Sequence, residues 1–240
     1  KRLRSYLREQ SHTLRQLLHI GTPIILGQLG IISVNFADTI MVGKYSTDAL
    51  AAASFVNNIF ALFFVLGLGF SYGLTPLVAK AHTHGDRLRL GRLLRHSTLL
   101  NLLIAFGLTL LLAGVYIFIE LFRVPSDLLP LIRPYFILQM VSFGVYMASA
   151  ALKQFFDGMG RTQVPMWIIL SSNLLNVIGN YLLIFGKWGC PELGLYGAGL
   201  STLLSRIYML VALTLVLRYS RSFKVICRAT LERSIIPAYF

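Results

Sequence analysis

The chain has 240 residues, 56% of them hydrophobic and only 13% charged, with a mean hydropathy of +0.70. A water-facing domain carries roughly a quarter charged residues, so lipid must serve as solvent for much of this exterior. The net charge of +13 would point to nucleic acid in a soluble protein, but its placement, described below, excludes that partner.

A bilayer core of about 30 Å takes about 20 apolar residues per helix. Six windows meet that length: 22–42, 50–77, 93–121, 134–155, 165–185 and 194–217. Backbone groups in lipid must be satisfied within the segment, so the windows are read as helices. The expected fold is an all-α membrane protein of six transmembrane helices, with residues 21–217 as the membrane lobe.

Residues 1–20 alternate basic and leucine-rich positions, which suits an amphipathic cytoplasmic segment lying on the membrane. The chain opens on Lys1 rather than Met, as a fragment does. Thr22–Pro23 is expected to begin the first span, proline being tolerated in a first turn. Pro134 and Pro165 are expected to open the fourth and fifth spans in the same way. Gly67, Gly69 and Gly73 stud the second span, and Gly194, Gly197 and Gly199 open the sixth, where small residues permit close helix approach. Ala79–Arg92 is the one long connection and carries His82 and His84; solvated loop histidines are the commoner reading of that pair than a metal site.

Seventeen of the 22 Lys and Arg residues fall in the N-terminal stretch, the second-to-third and fourth-to-fifth connections, and the tail. Lys44, Arg123, Arg133 and Lys187 occupy the opposite side, and Arg206 lies inside the last span. This asymmetry places both ends in the cytoplasm, with the basic segments as anchors on membrane lipids. Cys190 and Cys227 then fall on opposite sides and cannot pair. Residues 218–240 read as a basic cytoplasmic linker that turns apolar at Ile235-Ile236-Pro237, where a seventh helix is expected to start. A six-helix unit followed by another helix suggests half of a repeated transporter.

An ionisable residue within a span is a functional hypothesis by default. Among nine acids, only Asp38 lies well inside a window, and Gln28, Asn35 and Asp38 share one face of the first span. The fifth span carries a second stripe of Asn173, Asn176 and Asn180. Such asparagines serve either as interhelical glue or as ligands, and an acid stripe on another helix favours the second role. A carboxylate facing carboxamides can bind a proton or a small cation. The sixth span offers Ser201, Ser205 and Tyr208 along one face, with Arg206 beside it. The fourth aligns Gln139, Ser142, Tyr146, Ser149 and Lys153, and Lys153 with Asp157 makes a local i, i+4 pair. Gln28, Asn173, Ser201, Ser205 and Tyr146 are therefore candidates for a substrate cavity. No protease, hydrolase, nucleotide or thiol motif appears, which argues against an enzyme, a cofactor, a catalytic metal or a self-contained ATP-driven pump. An ion-coupled carrier remains.

Several segments together resemble the multidrug and toxic compound extrusion (MATE) family. They are Phe36-Ala37-Asp38-Thr39-Ile40-Met41-Val42-Gly43, Leu50-Ala51-Ala52-Ala53-Ser54, the Ala79-Lys80-Ala81-His82 run into Gly85-Asp86, the connection from Phe156 to Pro165, the fifth-span stretch from Asn173 to Gly186, and Leu193 to Gly199. The resemblance implies twelve helices in two lobes, this chain being the amino-terminal lobe and its partner the carboxy-terminal one. It implies export of amphipathic, often cationic small molecules against a proton or sodium gradient, from a bacterial inner membrane. Asp38 matches the family's first-helix acid, to which coupling-ion binding is ascribed, and Pro23 a position credited with bending that helix. Asn176 and Asn180 match fifth-helix positions that join the cation site, with Asn35 as a nearby helper. Some proton-coupled members have aspartate where Asn180 stands, so their two-carboxylate relay is not carried over. A lipid-linked saccharide flippase and a non-transporting scaffold subunit are the alternative readings.

Overall fold

The structure, a computed structural model, describes residues 2–122 and 124–219; side chains are described for Leu18 and from Ile20 onward. Seven helices follow in order: α1 Arg2–Tyr45, α2 Thr47–Tyr72, α3 Leu74–Thr83, α4 Arg87–Ile117, α5 Leu129–Gly158, α6 Gln163–Phe185 and α7 Gly194–Tyr219. Short 3₁₀ turns join α4 to α5 and α6 to α7, and the described residues contain no strand. Among the described residues, six segments are long and apolar enough to cross a membrane, α2 and α3 counting together as the second.

Helix boundaries differ from the sequence expectation in ways that follow from local chemistry. The first span, Ile20–Tyr45, opens close to Pro23 as expected, but no helix starts there: α1 is one helix of 44 residues with Pro23 inside it. At 1.5 Å per residue it is about 66 Å long, twice the bilayer core. Proline at this point forgoes the hydrogen bond to the His19 carbonyl, a loss that membrane-spanning helices tolerate. Pro134 likewise lies inside α5, which already starts at Leu129 with Pro130 in its first turn. Pro165 does sit in the first turn of α6.

The second window divides at Gly73. Pro76 has no N–H to give the Tyr72 carbonyl, so the ladder is interrupted there, and the Gly73 N–H instead bonds tightly to the Phe70 carbonyl at 3.2 Å. Ala79–Arg92 is not a long connection. Helix α3 continues to Thr83, a turn with Gly85 at φ 68° follows, and the Asp86 carboxylate accepts from the Arg89 N–H at 2.8 Å to cap α4. The amphipathic face proposed for residues 1–20 rests mostly on side chains outside the described residues, and residues 220–240, with Cys227 and the seventh-helix start expected at Ile235-Ile236-Pro237, lie outside them too.

Helix α5 lies at the centre, packed against α2, α4 and α7, while α6 is clasped between α1 and α7. An aromatic core of Phe60, Phe136 and Phe143 seals α2 against α5. Of the glycines flagged in the second span, only Gly67 is crowded by a neighbouring helix, at Met147 of α5. The glycines opening α7 behave as expected: a Cβ on Gly197 would lie 2.5 Å from the Leu183 carbonyl oxygen of α6. That approach brings the polar faces of α6 and α7 into register.

Candidate functional site

Two cavities run through the bundle between α1, α2, α5, α6 and α7. The larger, about 490 Å³, reaches toward the end of the bundle away from the chain termini and is lined by Asn57, Phe60, Tyr135 and Gln139 among others. The smaller, about 90 Å³, lies toward the terminal end, against Gln28, Tyr72, Lys153, Gln154 and Asn173. Asn35, Asp38, Tyr146, Thr202 and Arg206 line both. These five polar residues, with Ile31 and Leu68, mark the junction of the two spaces.

The acid and amide stripes meet. Gly30 lets α1 approach α6, because a Cβ there would fall 2.8 Å from the Leu170 Cδ2 and 3.1 Å from the Asn173 Nδ2. About two turns further along the pair, Asn180 Nδ2 donates to Asp38 Oδ1 and also lies 3.4 Å from Asn176 Oδ1. Asn176 Nδ2 in turn donates to Thr202 Oγ1 on α7 at 3.3 Å. A polar chain thus links α1 to α7 through α6. Asn180 is fully buried, and its Oδ1 has no hydrogen-bond partner among the described residues; Asn173 Nδ2 is in the same condition. A buried amide oxygen left unpaired carries a desolvation cost that a donor or cation would remove.

Of the residues singled out from sequence, Gln28, Asn35, Asp38, Tyr146, Asn173, Asn176 and Ser205 line a cavity. Ser201 lines neither. Its hydroxyl donates to the Asn176 carbonyl at 2.8 Å, and it packs where a Gly179 Cβ would be, so it serves the α6–α7 contact. Tyr208 is turned to the surface, its hydroxyl 3.1 Å from Ser171 Oγ. Pro23 is buried in α1 and distant in sequence from the Asp38–Asn180 contact.

Sequence reasoning missed Thr202, Asn57 and Tyr135. Tyr135 OH donates to Asn57 Oδ1 at 3.3 Å and accepts from Gln139 Nε2 at 2.8 Å, forming a second polar wall on the larger cavity. The spacing of Tyr135, Gln139 and Ser142 on α5 was the available signal. Thr202 is one residue from Ser201, and only the rotation of α7 decides which of them faces inward.

Among the described residues, the charges facing these spaces are few: Asp38, Arg206 and Lys153. Lys153 Nζ bonds to Asp157 Oδ2 at 2.6 Å, as the i, i+4 spacing suggests. Arg206 donates to Ser142 Oγ at 2.8 Å and lies over the rings of Phe64 and Tyr146, 5.0 Å and 5.2 Å from their centroids. No group of three His, Cys, Asp or Glu side chains among the described residues could hold a metal ion.

A helical bundle that spans a membrane six times and encloses polar cavities between its helices has the architecture of a membrane carrier rather than of an enzyme. Comparison with known proteins makes the class specific. The MatE family model matches residues 23–182, and the chain belongs to the MATE family, whose members are transporters. A protein of Bradyrhizobium diazoefficiens named "Probable multidrug resistance protein NorM" is 33% identical over 211 residues, covering 87% of this chain and 45% of that protein. A Bacillus subtilis protein of the same name is 31% identical over 195 residues, covering 80% and 43%. Among solved structures, the eukaryotic MATE transporter AtDTX14 superposes with a TM-score of 0.81 at 18% identity, over 95% of this chain and 50% of that one. A multidrug resistance MATE transporter in an outward-facing conformation gives 0.76 at 18% identity, over 90% and 52%. The chain thus spans about half the length of these relatives, the extent of one six-helix lobe.

Proposed function

We propose that this chain is the amino-terminal lobe of a secondary active efflux transporter that exports amphipathic, often cationic small molecules in exchange for H⁺ or Na⁺. The observation that carries the reading is the contact of Asn180 Nδ2 with Asp38 Oδ1 at the junction of two cavities. Asp38 is the exchange site. Asn176 and Asn180 surround it with amide groups, and Asn35 stands on its own helix one turn away. Exchange works because the same carboxylate cannot hold the coupling ion and a cationic cargo together. Binding of the ion also removes the unpaired state of Asn180 Oδ1, which would draw α1 toward α6 and reshape the cavity wall.

The apolar outer face of α1, with Ile25, Leu29, Ile32 and Phe36 exposed, is available to the carboxy-terminal lobe and to lipid. Residues 1–20 serve as a membrane-surface segment, 21–217 as the transport lobe and 218–240 as the linker to the second lobe. Both ends lie in the cytoplasm of a bacterial cell whose inner membrane holds the protein, in keeping with the basic charge on that side. Pro23 gives α1 a point of bending.

The test is Asp38→Asn in the full-length protein. Gradient-driven efflux of a cationic dye should vanish while membrane expression is retained; efflux at the wild-type rate would refute the assignment.

A further inference from the structure

A guanidinium in the middle of a membrane span is costly and calls for a partner. Arg206 has no carboxylate within 4.0 Å among the described residues; the ion pairs there are Arg133–Glu120 and Lys153–Asp157. Of its five N–H donors, one is taken by Ser142 Oγ. Its planar face is held by Phe64 of α2 and Tyr146 of α5, so the fork is fixed in position by two other helices rather than free to reach for water. Arg206 lines both cavities at their junction, on α7, facing the space that Asp38 faces from α1. Since Asp157 already neutralises Lys153, the described residues of the cavity walls leave one acid, Asp38, and one cation, Arg206.

We propose that Arg206 is an oxyanion subsite, which seats a carboxylate of an amphipathic cargo whose cationic group lies toward Asp38. A pre-oriented guanidinium fork matches a planar carboxylate with two parallel hydrogen bonds, and fixing it in advance reduces the ordering cost of binding. The flanking Tyr135, Tyr146 and Phe60 supply an aromatic lining for the apolar body of such a molecule. The cavity therefore selects zwitterions over plain cations of equal size. This rests on the reading that the cavity holds cargo, and adds the charge pattern of that cargo.

The experiment measures equilibrium binding to purified full-length transporter in detergent, with no ion gradient, so a failure of ion-driven efflux leaves it unaffected. The probes are an aminoxanthene dye with a free benzoate and the methyl ester of the same dye, followed by fluorescence anisotropy. Arg206→Gln should weaken the acid about tenfold and leave the ester within about twofold, the difference expected when one charge-assisted bidentate contact is lost. Arg206→Lys keeps the charge without the fork and should lie between. Equal losses for both dyes, or no loss for either, would overturn the proposal. Wild-type protein provides a second reading that needs no variant: the acid should bind at least as tightly as its more apolar ester, and a preference for the ester overturns the subsite.

Discussion

Lys153 and Asp157 offer the sharpest energetic prediction. Their heavy atoms are 2.6 Å apart, and the side chains are only 17% and 6% exposed. An exposed i, i+4 pair is worth about 0.3–0.5 kcal/mol, but removing one partner of a buried pair costs about 3–5 kcal/mol, because a lone charge is left behind. With the carboxylate almost wholly enclosed and the ammonium nearly so, the second regime applies to Lys153→Met, which strands Asp157. Lys153→Met with Asp157→Leu removes both charges and should recover much of that loss. In a double-mutant cycle of the full-length protein, unfolded by a denaturing detergent in mixed micelles, the coupling should reach about 2 kcal/mol, within the range seen for residues in direct contact. A coupling below about 0.5 kcal/mol would show that the pair behaves as a surface contact and that Lys153 is a free cation of the cavity wall.

Other consequences are simpler to score. Gly197→Val should destabilise the bundle by about 1–3 kcal/mol through overpacking on the Leu183 carbonyl, whereas Gly69→Ala, which meets open space, should leave the thermal midpoint unchanged. Ser201→Ala should cost about 0.6 kcal/mol, typical of an interhelical bond in a membrane, and leave the range of exported dyes as it was, because Ser201 faces α6 rather than a cavity. Asn180→Ala removes the donor on Asp38 and should cut gradient-driven efflux with the fold intact, checked by dye efflux beside size-exclusion chromatography of the purified variant.

The spans were legible because hydropathy over about 20 residues reports directly on lipid as solvent. Their ends were not. Helix α1 passes through Pro23, since one missing donor alone does not end a helix; the α2–α3 break falls at Gly73, where the donor missing at Pro76 coincides with a glycine. The site was legible as two stripes, since an acid at Asp38 and amides at Asn173, Asn176 and Asn180 are expensive in lipid whatever surrounds them. That Asp38 meets Asn180, rather than another amide, depends on how far α1 slides along α6, which Gly30 and Leu170 determine through space. Ser201 and Thr202 were indistinguishable for the same reason. Arg206 stood out by its charge, yet its partners Ser142, Phe64 and Tyr146 come from α2 and α5, far off in the chain.

The central claim is that Asp38 holds the coupling ion and yields it to cargo. Purified full-length protein in weakly buffered detergent should therefore release protons, seen with a pH indicator dye, or release bound ²²Na⁺, when a cationic cargo is added. The account predicts release of about one cation per cargo bound for wild type and none for Asp38→Asn at matched cargo occupancy. Equal release from both proteins would contradict it.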